Sequence, residues 1–313
     1  MQQSKSVFVP ALLLLIGAML SCAQKTNDPV VPGDPPSGLR TNSASACSAF
    51  RYPDTLFYLR EQSTDYVIAP VTAQSGTYGA YPGGLVINAT NGKINVSKSE
   101  TGLKYRVWFV RAGSLDTCNQ YVTISGINYV SRVYRLSQND TLVQPFYNAV
   151  RTLTTPCKDD KKDKDKDNDQ GDNADKCEYD DDRDDDDGDG LGDEPPSGYQ
   201  ATAQGLAINK LLGSINLKKT VANGAFGATP ANGTTKNIRI YYRLADASKK
   251  ALNFIDVTLH FYKKASDVPT ALLDQIRDKQ GATLRRPAPA TAAGTMNLAV
   301  SRPRPPDIVV SLE

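Results

Sequence analysis

The chain has 313 residues, a net charge of +2 and a single histidine. This length is enough for two ordinary domains with linkers. One histidine excludes a His-rich zinc site and makes any Ser-His-Asp triad depend on that residue. The basic residues are scattered and form no Lys/Arg stripe interleaved with aromatics, so the composition argues against nucleic-acid binding.

Residues 1–22 have the pattern of an export signal. A basic start precedes an apolar run at 7–20, which is too short to span a bilayer, and a small residue stands directly before Cys22. This ending resembles the lipobox of bacterial lipoproteins, in which the cysteine is acylated, although Met19 stands where leucine is usual. The resemblance implies a lipid anchor at Cys22 and a surface-exposed outer-membrane lipoprotein. An ordinary cleaved signal is the alternative.

Five cysteines occur in the chain, and assigning Cys22 to lipid leaves an even number in an oxidising compartment. The economical pairing joins Cys47 to Cys118 and Cys157 to Cys177. Two other connectivities stay open, because the sequence alone cannot choose among them. No pair has zinc-finger spacing, so all four cysteines are predicted to be structural.

Apolar runs separated by Gly and Asn clusters predict strands on both sides of an acidic tract. The alternating run at 105–109 and the apolar runs at 122–124 and 127–136 predict strands of a first domain. The alternating runs at 238–244 and 255–261 predict strands of a second domain. The pattern therefore indicates an all-β chain.

Helical signals are confined to the end of the second domain. Pro269 opens a short pattern with apolar residues on one side, and Gly281 ends it. Residues 282–313 carry five prolines and four arginines. They predict a loosely ordered extension, with a possible last strand at 308–312.

One thirteen-residue segment occurs twice. Residues 84–96, Gly-Leu-Val-Ile-Asn-Ala-Thr-Asn-Gly-Lys-Ile-Asn-Val, align without gaps with 205–217, and seven of the thirteen positions are identical. Each copy predicts a hairpin that turns at a glycine, Gly92 or Gly213. The pattern resembles the immunoglobulin-like domains of bacterial surface proteins, which implies two immunoglobulin-like β-sandwich domains and leaves activity open. Two unrelated hairpins that converged on one turn are the alternative.

The acidic tract contains most of the negative charge. Residues 158–194 hold 19 of the 34 acidic residues and 7 of the 36 basic ones, a net charge of −12 that leaves +14 elsewhere. Its second half should extend by self-repulsion unless a cation collects there.

Asp185, Asp187 and Asp189 alternate, a glycine follows, and Asp193 completes the group. Calcium takes about six to eight oxygen ligands and tolerates irregular geometry. The residues resemble a thrombospondin type 3 repeat, which implies structural calcium in an elongated spacer. An EF-hand is rejected, because Pro196 stands where a bidentate Glu is needed. A solvated acidic linker without a specific ion is the alternative.

Few residues suggest catalysis. His260 alternates with apolar residues on its predicted strand, so we expect a half-exposed structural histidine. No Gly-x-Ser-x-Gly elbow or P-loop occurs in the sequence. Trp108 and Tyr241 are candidate sugar-binding platforms, and packing on a sheet face is the favoured interpretation for Trp108. The sequence therefore predicts no enzyme.

The predicted organisation runs from anchor to extension. It comprises 1–22 signal peptide, 23–46 Pro/Ser/Gly tether, 47–156 immunoglobulin-like β domain, 157–196 acidic spacer, 197–281 second β domain and 282–313 extension. The predicted function is a non-enzymatic cell-surface lipoprotein for adhesion or envelope assembly, with a calcium-stiffened spacer and with envelope proteins or surface glycans as partners. The alternative is a carbohydrate-binding accessory lipoprotein of an outer-membrane uptake system. An envelope hydrolase is a third hypothesis, which the single histidine disfavours.

Overall fold

A computed structural model describes residues 40–41, 47–114, 116–157, 176–180, 200–284 and 302–313. The described chain is mostly β, which confirms the all-β expectation at that level, and the immunoglobulin-like assignment stays a prediction. The proposed anchor Cys22 and the proposed calcium ligands lie outside the described residues.

The first sheet is built around a long hairpin. Its strands and the small strands beside it are β1 Arg40–Thr41, β2 Leu56–Phe57, β3 Val67–Ile68, β4 Gly76–Tyr81, β5 Ile94–Asn95, β6 Leu103–Arg111 and β7 Asp116–Ile124. β4, β6 and β7 are antiparallel neighbours, β1 and β2 both pair parallel to β7, and β3 pairs with β5. We call β1–β7 the first β unit.

The second sheet combines strands from distant parts of the chain. The remaining elements are β8 Ile127–Asn128, β9 Arg132–Arg135, β10 Leu142–Val143, β11 Phe146–Tyr147, β12 Glu178–Tyr179, β13 Ile215–Asn216, α1 Leu217–Ala222, β14 Thr234–Arg243, β15 Asn253–Tyr262, α2 Thr270–Leu284 and β16 Asp307–Ser311. The sheet order is β12-β14-β15-β16-β9, while β8–β11 and β10–β13 form small pairs. We call β8–β16 with both helices the second β unit.

The predicted alternation fixes the inward faces of both hairpins. In β6, Tyr105, Val107 and Phe109 are at most 1% exposed. In β14 and β15 the inward positions are equally buried and form one core cluster: Ile238, Ile240, Tyr242, Ile255, Val257, Leu259 and Phe261. The strand predictions at 105–109, 238–244 and 255–261 are confirmed in position and facing.

The repeated segments form matching hairpin turns. The Gly92 amide donates to the Asn88 carbonyl oxygen at 2.9 Å, and the Gly213 amide donates to the Asn209 carbonyl oxygen at 2.8 Å. Both glycines have positive φ, +70° and +68°, which is costly for a residue with a Cβ. The two turns therefore need glycine for the same reason.

A tyrosine fixes each turn to its unit. The Tyr52 hydroxyl donates to the Gly92 carbonyl oxygen at 2.5 Å, and the Tyr129 hydroxyl donates to the Gly213 carbonyl oxygen at 2.6 Å. A Cβ on either glycine would fall within 2.6 Å of a second tyrosine ring, Tyr78 on β4 or Tyr179 on β12. The two units thus share an arrangement that extends beyond the thirteen residues.

The two units differ in how the strand that follows the turn-fixing tyrosine is placed. In the first unit β2, which follows Tyr52, pairs directly with β7. In the second unit β9, which follows Tyr129, is separated from β15 by β16, and β16 pairs parallel to both. β16 therefore lies between β9 and the long hairpin of β14 and β15.

The extension predicted for 282–313 is ordered over 302–313, so the expectation of a loose tail is wrong for these residues. All five residues of β16 are at most 1% exposed. Ile308 and Val310 join the main core, and Val309 packs with Ile276 of α2 on the other face. The possible strand at 308–312 is thereby confirmed.

Helix α2 does not end at Gly281 as predicted but continues to Leu284. A glycine inside a helix costs about 1 kcal/mol of stability relative to alanine, which this helix tolerates.

The described residues next to the acidic tract, 157, 176–180 and 200–202, lie in the second unit. A disulfide joins Cys157 and Cys177, at the two ends of a first acidic segment, 158–175. The buried Asp180 carboxylate accepts hydrogen bonds from the backbone amides of Ala201 and Thr202, at the two ends of the second segment. Strand β9, which falls within the predicted domain 47–156, also belongs to this sheet. The predicted domain boundaries stay predictions.

Candidate ligand-binding cleft

Thr101 lies at the centre of the contact between the two β units. Its hydroxyl is 3.2 Å from the Tyr242 hydroxyl and donates to Asn253 Oδ1 at 3.2 Å. Arg304 Nη1 donates to the Thr101 carbonyl oxygen at 2.7 Å, and Arg304 Nη2 donates to the Phe254 carbonyl oxygen at 3.1 Å. Because Arg304 is only 7% exposed, these charge-assisted bonds are stronger than they would be at the surface.

Further hydrogen bonds join the units on either side of Thr101. Asp246 Oδ2 accepts from Ser125 Oγ, which directly follows β7, at 3.1 Å, and from the Tyr147 hydroxyl of its own unit at 2.6 Å. Burial, together with the bond to Asp246, raises the pKa of the Tyr147 hydroxyl above its usual range. Glu61 Oε2 accepts from the Leu252 amide at 3.2 Å. The contact is therefore polar and spread over several segments.

A cleft of about 660 Å³ opens along this contact. One wall is the loop at 59–65 with residues 97–101 of the first unit, and the other is formed by β14, β15, Arg304 and Pro305 of the second unit. This volume falls within the range of about 300–1,000 Å³ that ligand pockets span. The cleft is accordingly our candidate functional site.

The charged side chains of the cleft are balanced in number, and four of them form two ion pairs within it. Four basic and four acidic residues line it: Arg60, Lys98, Arg239, Arg304, Glu61, Asp65, Glu100 and Asp256. Lys98 Nζ lies 2.6 Å from Asp65 Oδ2, and Arg239 binds Asp256 through two bonds of 2.7 and 2.9 Å. The hydrogen bond from Lys98, with a second from Asn95, lowers the pKa of Asp65.

Glu100 belongs to neither of these pairs. Its Oε2 atom is buried and has no hydrogen-bond partner among the described residues. Burial raises the pKa of Glu100 above its ordinary value, and the charge of Arg304 only partly opposes this effect. Glu100 therefore keeps its proton to a higher pH than an exposed glutamate does.

Phe254 gives the cleft an aromatic surface. Its side chain is 42% exposed on the outward face of β15. The Arg239 guanidinium carbon lies 3.9 Å from the ring centroid, and the Tyr241 ring lies 6.0 Å away. A large apolar ring is thus held in place at a polar cleft. Tyr241, the other candidate sugar-binding platform, lies beside this ring.

Two of the predicted structural features are present. The structure contains the Cys47–Cys118 and Cys157–Cys177 disulfides, which is the economical pairing. Trp108 is 8% exposed and packs where a Cβ on Gly79 would clash with its ring. The packing interpretation of Trp108 is confirmed. Cys22 and the predicted calcium ligands Asp185, Asp187, Asp189 and Asp193 lie outside the described residues.

The prediction of a half-exposed His260 is wrong, because the residue is only 9% exposed. Its Nε2 lies 3.1 Å from Asp307 Oδ1, and its Nδ1 lies 3.2 Å from Thr235 Oγ1. Asp307 also accepts from Gln275 and Lys279 of α2. The outward face of β15 at His260 is covered by β16 and α2. The alternation of residues along β15 does not predict this cover.

Sequence reasoning missed the main residues of the cleft. Alternation places Phe254 and Asp256 on the outward face of β15, but nothing local indicates that another unit faces them. Glu100 lies next to Thr101, between the repeated segment at 84–96 and the predicted strand at 105–109, where no pattern indicates a binding residue. Arg304 falls within the predicted loose extension at 282–313. The prolines beside it do not indicate a buried contact.

Comparisons with known proteins add no assignment. No protein-family model matches the chain. No curated protein matches it significantly either. Within the described ranges, none of the helices has the length and apolar character needed to cross a membrane. The same residues contain no group of three or more His, Cys, Asp or Glu side chains placed to hold a metal ion.

Proposed function

We propose that the chain is a non-enzymatic cell-surface lipoprotein that serves adhesion or envelope assembly. Two immunoglobulin-like β units, anchored through Cys22, would present the cleft to a partner on the envelope or on another surface. The observation that carries this proposal is the cleft itself, whose walls come from both units. A site of this kind binds a ligand without any need for a catalytic group.

Two further observations support the proposal. Both disulfides are typical of an oxidising compartment such as the bacterial envelope. The buried bonds of Arg304 hold the two cleft walls together, so a ligand meets surfaces that are already placed. Preorganisation of this kind favours binding, because little chain ordering remains to be done.

Blocking the cleft is expected to abolish adhesion. Ser63 is exposed on the first-unit wall, and Ser63→Trp would place an indole ring in the cleft. Cells that display the full chain should lose attachment to isolated envelopes by about tenfold or more, equivalent to about 1.4 kcal/mol. Attachment is measured by counting bound cells.

The matched control for this experiment is Ala89→Trp. Ala89 is exposed on the hairpin of the same unit and does not line the cleft. It should leave attachment unchanged.

The lipid anchor is tested separately. Labelled palmitate should enter the wild-type chain and be absent from Cys22→Ala. Equal attachment for wild type and Ser63→Trp, or palmitate labelling without Cys22, would contradict the proposal.

We also propose that Asp185, Asp187, Asp189 and Asp193 bind structural calcium. The described residues flanking this segment are fixed in the second unit, so calcium would order a loop of that unit. Titration calorimetry should give a dissociation constant of about 0.1–1 mM, as in extracellular calcium modules. The heat should disappear in the double variant Asp187→Ala/Asp189→Ala.

The control for calcium binding is the double variant Asp165→Ala/Asp167→Ala. It removes the same charge from the other acidic segment, where the ligand pattern is incomplete, and should leave the heat in place. Calcium should also protect residues 181–199 from protease in the wild type. A wild-type titration without heat would reduce the tract to a passive acidic segment.

A further inference from the structure

Equal numbers of acidic and basic side chains line the cleft, and this balance disfavours an ionic ligand. Lys98 with Asp65 and Arg239 with Asp256 form close pairs inside the cleft. Glu61 lies 3.7 Å from Arg243, which is 5% exposed at the side chain. An anion or a cation would have to compete with these existing pairs, whereas an uncharged ligand can accept and donate hydrogen bonds beside them.

The aromatic surface of Phe254 adds a complementary requirement. The Arg239 guanidinium covers one face of this ring, and the 42% exposure of Phe254 leaves further apolar surface at a mostly polar site. Few uncharged polar molecules have a flat apolar face as well. Sugar rings do, because the C–H groups of one face are apolar while the hydroxyl groups project around the edge.

The polar lining suits hydroxyl groups. Carboxylate, amide and hydroxyl side chains line the same cleft as Phe254, namely Gln62, Ser63, Thr64, Ser97, Asn253 and Asp256. Hydroxyl groups both donate and accept, so they satisfy carboxylate acceptors and amide groups equally well. A ligand with many hydroxyls therefore matches this wall better than one with a single charged group.

We propose that the cleft binds an uncharged oligosaccharide, one sugar ring of which packs on Phe254 while its hydroxyls bond to the surrounding polar side chains. This inference rests on the proposed function, in which the cleft is the binding surface. It identifies surface glycans as the partner in adhesion. It also supports a carbohydrate-binding accessory role beside an outer-membrane importer.

The test is a glycan array probed with the full chain in detergent, carrying neutral gluco-, manno- and galacto-oligosaccharides beside sialylated and uronic-acid glycans. Neutral oligosaccharides should be retained and anionic ones should not. In titrations of a retained neutral glycan, Phe254→Ala should weaken binding about tenfold or more. Phe254→Tyr keeps the ring and should bind nearly as well as wild type.

Tyr121→Ala is the matched control. Tyr121 is 47% exposed on β7, carries a lysine ammonium 5.4 Å from its ring centroid and lies outside the cleft. It should leave the affinity unchanged. Retention of anionic glycans alone, an empty array, or equal losses for Phe254→Ala and Tyr121→Ala would each overturn the inference.

The outcome is separable from that of the proposed function. If the array is empty and Ser63→Trp still blocks attachment, the cleft is a binding surface for something other than a saccharide, and only the inference fails. If Ser63→Trp has no effect on attachment while neutral glycans bind and Phe254→Ala weakens them, the adhesive role fails and the saccharide site stands.

Discussion

Asp307→Asn should lower the free energy of unfolding by about 3 kcal/mol, because it removes the buried negative charge that Lys279 binds. Asp307 is 1% exposed and accepts from Lys279 at 2.5 Å, Gln275 at 2.9 Å and His260 at 3.1 Å. The asparagine amide fits the space and removes the negative charge. Urea unfolding followed by circular dichroism measures the loss.

Acid should reveal the same interaction. Burial alone would raise the pKa of Asp307, but the hydrogen bonds from His260, Lys279 and Gln275 outweigh it and hold the pKa below its ordinary value. A carboxyl group with a lowered folded-state pKa stabilises the protein above its unfolded pKa of about 4. That contribution is lost as the pH falls through the folded-state pKa, so wild type and Asp307→Asn should converge in acid.

Asp274→Asn is the control for both measurements. Asp274 belongs to the same helix α2 and pairs with Arg277 at 2.7 Å, but the two side chains are 53% and 74% exposed. Its loss should cost less than about 0.5 kcal/mol. A similar cost for the two asparagine variants would show that β16 is not held by a buried charge.

Removing the Cys47–Cys118 disulfide should cost about 4 kcal/mol in the chain-entropy account, because the bond closes a separation of 71 residues. The double alanine variant also loses contacts of Cys118, which is 6% exposed in the core of the first unit. The only tryptophan in the chain, Trp108, lies on the neighbouring strand β6. Its fluorescence during urea unfolding therefore reports on this unit.

The second disulfide provides the comparison. Cys157 and Cys177 are separated by 20 residues, for which the same account gives about 3 kcal/mol. Because this pair lies in the second unit, its removal should leave the Trp108 transition closer to wild type. If removal of Cys157–Cys177 shifted the Trp108 transition more than removal of Cys47–Cys118, the two disulfides would not stabilise separate units.

Local patterns predicted the parts of the fold that depend on neighbouring residues. Alternation at 105–109, 238–244 and 255–261 identified both hairpins and their inward faces, because a strand buried on one face repeats every two residues. The repeat at 84–96 and 205–217 identified the glycine turns. Neither pattern could reveal the tyrosines that fix these turns, since Tyr52 and Tyr129 lie 40 and 84 residues away.

The missing parts depend on contacts between distant segments. β16 follows a stretch of prolines and arginines, and its apolar residues are too few to predict a buried strand without knowledge of β9 and β15. The burial of His260 follows from that same strand. The cleft was equally hidden, because its walls come from two units and its central contact joins Thr101 to Arg304 across 203 positions.

The place of β16 in the second sheet sets an order of assembly during synthesis. The first unit has all its described strands by Ile124, so a chain made from its N-terminus can fold that unit early. Among the described strands, β9 pairs in this sheet only with β16, so its pairing waits until residues 307–311 have been made. A chain that lacks its last residues would therefore carry a finished first unit and an open sheet edge in the second, which is where a chaperone would be needed.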